Sequence, residues 1–171
     1  MAVDETFVTK RKFEAGRRTI NMKQTLIGAA EVYANGGLTG RFSFRLIENR
    51  QKVTMVSFIK DFVDPHAVLF TDSHRSYKKL TEHGFQHRMV NHSKRELKSP
   101  DGATTNAIEG VWSGIKRLIR LYDIRKVDQQ VLLALTAEYA WRVEARKDQP
   151  NQRQGLGVQR LAEAIRDYIA A

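Results

Sequence analysis

The sequence predicts an α/β fold, in which a mixed sheet of five strands is flanked by helices and extra helices follow at the carboxyl end. Three observations support this prediction. Three strand patterns come first, strand and helix patterns then alternate, and helical patterns complete the chain. Consecutive strands joined by turns give antiparallel neighbours, whereas strand–helix–strand units give parallel neighbours, so the sheet is expected to be mixed.

The first three strands are indicated by alternation and by turn residues. Residues 3–8 alternate in polarity, which predicts a strand close to the first residue. Residues 24–34 form an apolar segment typical of a buried strand, and Asn-Gly-Gly at 35–37 is a turn sequence. Residues 42–47 alternate again and complete the expected three-stranded unit.

A helix and a buried strand are expected next. Asn49 is predicted to cap a helix whose apolar side carries Val53, Val56, Ile59, Phe62 and Val63. Pro65 ends this helix. Residues 67–71 form a short continuous apolar run, which is typical of a strand covered on both faces, and the run ends at Asp72.

The remaining part of the chain is predicted to be largely helical. A short helix through Tyr77 and Leu80 ends at Gly84, and a fifth strand covers residues 87–92. Residues 98–105 form a loop. Helices are then expected over residues 104–120, about 128–147 and about 158–170. We therefore predict one domain over residues 1–147, a linker over 148–157 and a C-terminal helix over 158–171.

Composition indicates a polyanionic partner. Lys and Arg number 29 against 19 acids, which gives a net charge of +10 and a pI near 10.0. Nucleic acid is the simplest partner for such a surplus, and a basic surface without function is the alternative. No apolar run reaches the roughly 20 residues that span a bilayer. Cysteine is absent, which excludes disulfides and thiolate zinc sites and suits a cytoplasmic location.

The helix predicted at residues 104–120 has one apolar and one cationic side. Because successive helical residues turn by about 100°, Lys116 falls about 20° from Glu109 and two turns further along. Four more polar residues lie within about 80° of Glu109, and these are Asn106, Ser113, Arg117 and Arg120. This side either contacts DNA phosphates or is a solvated helix surface.

Three carboxylates are candidates for one site. Asp4 lies in the first strand, Asp72 ends the fourth, and Glu109 lies on the helix just described. The carboxyl ends of strands form the functional crevice of open α/β sheets, so the three side chains can converge there if the first and fourth strands are neighbours. Hard oxygen donors beside a phosphate path suit two Mg²⁺ or Mn²⁺ ions, which promote phosphoryl displacement.

Each acid also has an ordinary structural interpretation. Asp4 is alternatively a surface residue, and Asp72 is alternatively the cap of the following helix. Glu109 is alternatively an acid in the first turn of its helix, where a negative charge is favourable. The interpretation as one site depends on the combination of all three with the cationic side.

Further polar residues have two interpretations each. The basic loop is expected either to contact backbone phosphates or to be solvated, and its cations are Lys10, Arg11, Lys12, Arg17 and Arg18. His74 follows Asp72 closely and is either a local hydrogen-bond partner or a phosphate contact. A histidine zinc site is not expected, because strand geometry places His87 and His92 on opposite faces. Trp112 is expected in the core.

Several motifs together resemble the ISXO-like group of DDE-type insertion-sequence transposases. The 36 residues between Asp72 and Glu109, and the six between Glu109 and Lys116, are similar to the spacing of the wider superfamily. The matching pieces occur in the family's order, and they are VDETFVTKRKFEAGR (3–17), LFTDSHRSYKKL (69–80), HRMVNHS (87–93), TTNAIEGVWSGIKR (104–117) and AEYAWR (137–142).

The resemblance implies a ribonuclease-H-like fold and metal-dependent cleavage and transfer of DNA strands at the ends of a mobile element. By position, Asp4, Asp72 and Glu109 match the catalytic acids that hold two Mg²⁺ or Mn²⁺ ions. Lys116 matches a basic residue that contacts DNA near the cleaved phosphate, and His92 belongs to the family pattern at the cleft. A homodimer on DNA and a nucleoid-associated location are implied, without a membrane or a small-molecule cofactor.

One departure from the family pattern leaves two alternatives open. Members usually carry a cysteine zinc ribbon before the first strand, and this sequence contains no cysteine. A truncated remnant that binds DNA without catalysis is therefore one alternative. A cellular nuclease or ribonuclease H on the same fold is the other.

Overall fold

The computed structural model describes residues 1–8, 24–90, 104–122 and 129–148, with side chains up to residue 144. Strands and helices alternate in the order expected for an α/β fold. The strands are β1 Ala2–Val8, β2 Gln24–Val32, β3 Leu38–Ile47, β4 Val68–Asp72 and β5 Gln86–Val90. The helices are α1 Lys52–Phe62, a 3₁₀ helix Leu80–His83, α2 Asn106–Leu121 and α3 Gln129–Asp148.

The strands form one mixed sheet in the order β3-β2-β1-β4-β5. β2 is antiparallel to both β1 and β3, whereas β4 is parallel to both β1 and β5. The predicted mixed five-stranded sheet with flanking helices is thus confirmed, and it is consistent with the ribonuclease-H-like architecture that the resemblance implied. β1 is the central strand and has β4 as its parallel neighbour, as a site shared by Asp4 and Asp72 requires.

The two faces of the sheet bury different residues. Because side chains alternate along a strand, Ala2 and Val3 of β1 enter separate cores. Val3 packs on the face covered by α1, together with Met55 and Ile59. Ala2 packs on the face covered by α2. α3 packs against α2 and β3, so the face that carries Asp4 lies beneath the two C-terminal helices of the described residues.

The hairpin between β2 and β3 forms at the predicted Asn-Gly-Gly turn. Gly36 adopts a φ of 84°, a left-handed conformation that costs glycine little, and its N–H donates to the Tyr33 carbonyl at 2.9 Å. β3 begins at Leu38, four residues before the predicted start at 42, since Leu38 pairs with Val32 across a register shift after Ala30.

The predicted apolar side of α1 was right at Val56, Ile59 and Val63 and wrong at Val53 and Phe62. Val53 is 78% exposed and Phe62 is 42% exposed, although both were placed on the buried side. Their nine-residue separation turns a helix by about 900°, so they point in opposite directions. The buried residues of α1 are Met55, Val56, Phe58 and Ile59, so the core side also includes Met55 and Phe58. Asn49 also does not cap the helix. The cap is Gln51, whose backbone N–H donates to Asn49 Oδ1 at 3.0 Å.

The later elements follow the predictions closely. The 3₁₀ helix covers Leu80–His83 and does not extend back to Tyr77 as predicted, and Gly84, whose φ is 89°, caps its end as predicted. α2 and α3 occupy the ranges expected of them within two residues at either end. Residues 91–92 of the predicted fifth strand, the linker at 149–157 and the helix at 158–171 lie outside the described residues, so the domain limits stay a prediction. Among the described helices, none is long and apolar enough to cross a membrane.

Candidate active site

The pairing of β1 with β4 places two aspartates side by side. Ala2 pairs with Phe70, and two residues further along the parallel strands come Asp4 and Asp72. A step of two residues returns to the same face of a sheet, so both side chains lie on the α2 side. Both residues are partly buried. Asp72 Oδ1 accepts the backbone N–H of His74 at 2.9 Å, which fixes this carboxylate at the end of β4.

The third carboxylate, Glu109, lies in the first turn of α2. Ile108, Val111 and Trp112 are buried between α2 and the sheet, and they leave Glu109 at the exposed rim of the helix. The hydroxyl of Thr105, the N-cap residue, donates to Glu109 Oε1 at 2.7 Å. This hydrogen bond ties the carboxylate to the helix start, and it also bears out the first-turn position considered from sequence.

The three acids interact through their charges. Burial, together with the negative charges of Asp72 and Glu109, raises the pKa of Asp4 to about 7. A weaker opposing effect comes from the Trp112 indole and the Arg50 guanidinium, which lower the pKa of Asp4. Carboxylates from β1, β4 and α2 therefore influence one another's charge.

The donor chemistry of this cluster fits a divalent cation, although the cluster is not a ready-made metal site. In residues 1–8, 24–90, 104–122 and 129–144, no three acidic or imidazole side chains are close enough to hold a metal together. The mutual repulsion that raises the pKa of Asp4 is, however, relieved by a cation. Carboxylate oxygens are the ligands that Mg²⁺ and Mn²⁺ prefer.

The cationic residues of α2 are placed on its outer side. Arg117 and Arg120 are exposed, and Lys116 is partly exposed two turns beyond Glu109. Asn106 is the exposed first residue of α2, and its backbone N–H donates to Thr104 Oγ1 at 3.2 Å. The expected separation of an apolar and a cationic side is thus present in α2.

His74 makes the local hydrogen bonds that were one of its two interpretations. Its backbone N–H binds Asp72, and its ring Nδ1 accepts the backbone N–H of Ser76 at 3.3 Å. Burial and the Arg50 charge lower the pKa of His74, so the ring favours the neutral form that this acceptor role requires. Other predicted contacts lie outside the described residues, and they are His92, Lys10, Arg11, Lys12, Arg17 and Arg18.

Comparison with known proteins identifies the family. The model of the ISXO2-like transposase domain matches residues 1–144. The chain belongs to the ISXO2-like transposase family. An uncharacterized transposase-like protein of Haemophilus influenzae is 28% identical over 78 residues, which cover 46% of this chain and 62% of that relative. The match thus spans less than two thirds of the relative's length.

The transposase domain contains a buried polar network that sequence reasoning missed. Glu5 follows Asp4 in β1 and therefore faces the opposite side of the sheet, where its side chain is 1% exposed. The Tyr77 hydroxyl donates to Glu5 Oε2 at 2.5 Å, and the Arg50 guanidinium forms an ion pair with Oε1. The available signal was an acid at an inward position of a buried strand, which requires a partner.

A second missed feature of the transposase domain joins Trp112 to the site. Trp112 is 4% exposed and belongs to the core on the α2 face, as expected. Its ring lies against Gly28, the β2 residue that pairs with Asp4. The signal was a glycine inside an apolar strand, which often marks the close approach of another group.

Proposed function

We propose that this domain is the catalytic core of a DDE-type transposase, which cleaves and transfers DNA strands at insertion-sequence ends with Mg²⁺ or Mn²⁺. The observation that carries the proposal is the charge coupling of Asp4, Asp72 and Glu109, which come from three different elements. Membership of the transposase family and the net charge of +10 support it.

Asp4, Asp72 and Glu109 are the residues that would hold the ions. When bound, such ions activate an attacking oxygen and stabilise the charge of a leaving one. The chain itself orients two of the three ligands in advance, Asp72 through the His74 N–H and Glu109 through the Thr105 hydroxyl. Asp4 lies on the central strand, which supplies a rigid base.

The outer side of α2 would contact the DNA backbone. Lys116, Arg117 and Arg120 are exposed or partly exposed there, on the helix that also carries Glu109. Cations on one helix can neutralise neighbouring phosphates and fix the register of the DNA without reading its sequence. Contacts from Asn106, from the basic loop at residues 10–18 and from a second copy of the chain stay predictions.

DNA cleavage assays on variants that replace each acid by its amide test the proposal. Asp4→Asn, Asp72→Asn and Glu109→Gln remove one negative charge each and keep the side-chain shape. Each is expected to lower the rate of Mn²⁺-dependent nicking of element-end DNA by about a hundredfold or more. Asp61→Asn is the matched control, because Asp61 is an exposed acid that pairs with Arg45 on the other face of the sheet. Wild-type rates in Asp4→Asn would contradict the proposal.

One observation favours a second candidate, a DNA-binding protein without catalysis. The described residues do not form a ready-made site of three metal ligands. This candidate predicts that DNA affinity falls as the salt concentration rises and that DNA is not cleaved with either Mg²⁺ or Mn²⁺. Turnover of a pre-nicked substrate by the wild-type chain would eliminate it.

A further inference from the structure

The β2 residue opposite Asp4 is a glycine, and an indole ring occupies the space of its missing side chain. In the register of β1 with β2, Asp4 pairs with Gly28. A Cβ added to Gly28 would lie 2.6 Å from Cη2 and 2.8 Å from Cζ2 of Trp112. Both distances are too short for a real contact, so a side chain at position 28 and the present ring position exclude one another.

The polar atom of this ring is buried on the face of the sheet that carries Asp4. Trp112 is 4% exposed, and in the described part of the chain its Nε1 makes no hydrogen bond of normal geometry. A buried donor without a partner is destabilising, so a nearby acceptor is expected. The ring fills the side-chain position of Gly28, and side chains directly opposite one another in an antiparallel pair lie about 4.5–5.5 Å apart, so the indole lies next to the side chain of Asp4.

Trp112 also belongs to the helix that carries the third acid. Glu109 and Trp112 are three residues apart in α2, so they lie on neighbouring parts of the helix surface. Glu109 is exposed at the rim, whereas Trp112 reaches down to the sheet. A contact from Trp112 to Asp4 therefore connects the position of α2 to the central strand.

We propose that Trp112 is a positioning residue, whose indole N–H donates to the Asp4 carboxylate and fixes its orientation toward the bound ions. This inference rests on the proposed function. A phenylalanine would fill the same core position, but only tryptophan brings a donor to the carboxylate. Gly28 is part of the same arrangement, because it lets the ring approach.

Nuclear magnetic resonance tests the contact without metal, DNA or activity. The chain has two tryptophans, and Trp141→Phe identifies the indole ¹⁵N–¹H signal of Trp112. Removing the acceptor with Asp4→Ala is expected to move this signal and to speed exchange of its proton with solvent. Asp61→Ala, which removes a distant acid, should leave it in place. If the chemical shift and the exchange rate of the Trp112 indole proton are the same in Asp4→Ala as in the wild type, and the circular dichroism is also unchanged, the proposed contact is wrong.

Mn²⁺ binding tests the role. Trp112→Phe keeps an aromatic ring and removes the N–H, and it is expected to weaken calorimetric Mn²⁺ binding by about tenfold to a hundredfold. Gly28→Ala should weaken binding as well, although it retains the tryptophan, because the added Cβ displaces the ring. Trp141→Phe is the control and should bind as wild type does. Unchanged binding in Trp112→Phe would overturn the role.

The two proposals fail in different ways. If the wild-type chain cleaves no DNA while the Trp112 signal responds to Asp4→Ala and Trp112→Phe weakens Mn²⁺ binding, the proposed catalysis is wrong and the positioning stands. If the chain cleaves DNA while both variants behave as wild type does in these measurements, the positioning role is wrong and the catalysis stands.

Discussion

Asp4 and Glu5 are sequence neighbours with opposite electrostatic surroundings. Asp4 faces two further carboxylates, Asp72 and Glu109, and its pKa is raised to about 7. Glu5 faces a cation and a hydroxyl on the other side of the sheet. The alternation of β1 separates an acid surrounded by like charges from an acid that is paired with a cation.

The raised pKa of Asp4 predicts how stability depends on pH in metal-free buffer. Between its usual value of 3.8 and about 7, the folded chain keeps Asp4 protonated while the unfolded chain has released that proton. The free energy of unfolding should therefore fall as pH rises through this window, by up to about 1.4 kcal/mol per pH unit from this group. Asp4→Asn removes the group and the dependence.

Urea unfolding at pH 4.5 and pH 7.5 checks this prediction. The two proteins are expected to have similar stability at the lower pH, where Asp4 is neutral, and Asp4→Asn should be the more stable one at the higher pH. A difference between them that does not change with pH would contradict the raised pKa.

A second prediction at the residue scale concerns Arg50. Arg50→Met leaves the Glu5 carboxylate buried without its cation, which should lower the free energy of unfolding by about 3 kcal/mol. The matched control is Arg45→Met, since Arg45 pairs with Asp61 where both side chains are more than a third exposed. That change should cost no more than about 1 kcal/mol. If chemical denaturation gave the same loss of unfolding free energy for Arg50→Met and Arg45→Met, the buried pair of Arg50 and Glu5 would be no more stabilising than the exposed one.

At the scale of elements, the 16 residues of α2 contribute to the core, to the candidate site and to the cationic surface. It buries its apolar side on the sheet, holds Glu109 at the rim, and carries Lys116 and the two arginines on its outer side. Contact with α3 fixes its position, because Tyr139 of α3 lies against Gly114. Changes at this contact should thus affect the site as well as the fold.

Two glycines of α2 provide a matched pair of substitutions. Gly114→Ala would place a Cβ 2.2 Å from the Tyr139 ring, so it should lower the free energy of unfolding by about 1–3 kcal/mol. Gly110→Ala meets nothing within 4 Å and should raise it by about 0.5–1 kcal/mol, since alanine favours the helix. Thermal unfolding of both variants measures the difference. Stabilisation by Gly114→Ala would contradict the described packing.

The elements also show what the sequence could and could not predict. Strand and helix ranges were largely recognised, because alternation and helical periodicity are local patterns. The apolar side of α1 was misjudged at Val53 and Phe62, because steps of three residues drift around a helix. The three acids were proposed as one site from their places in the pattern, and their shared role stays a prediction. The sequence did not predict that Glu5 contacts Tyr77 and Arg50, or that Trp112 contacts Gly28. These residues are far apart in the chain and meet only through the order and register of the strands.

At the scale of the whole molecule, the positive charge predicts salt-dependent DNA binding. Arg117→Ala and Arg120→Ala should each weaken binding and reduce the slope of log affinity against log salt by about one. Lys60→Ala is the control, because Lys60 is exposed on α1, on the other face of the sheet from α2. Fluorescence anisotropy at several salt concentrations measures these slopes. Equal effects from all three variants would indicate diffuse binding rather than binding along α2.

The pairing of the sheet has a consequence for the order in which the molecule assembles. β1 and β2 pair at every position from Ala2 to Val8, whereas β1 and β4 pair in the described ladder at Ala2 alone. The antiparallel half can therefore form from nearby segments first, and the parallel half docks onto it later. The hydrogen bond from the Tyr77 hydroxyl to Glu5 links the segment after β4 to β1. We expect it to stabilise the contact between the two halves of the sheet and so to keep Asp4 next to Asp72.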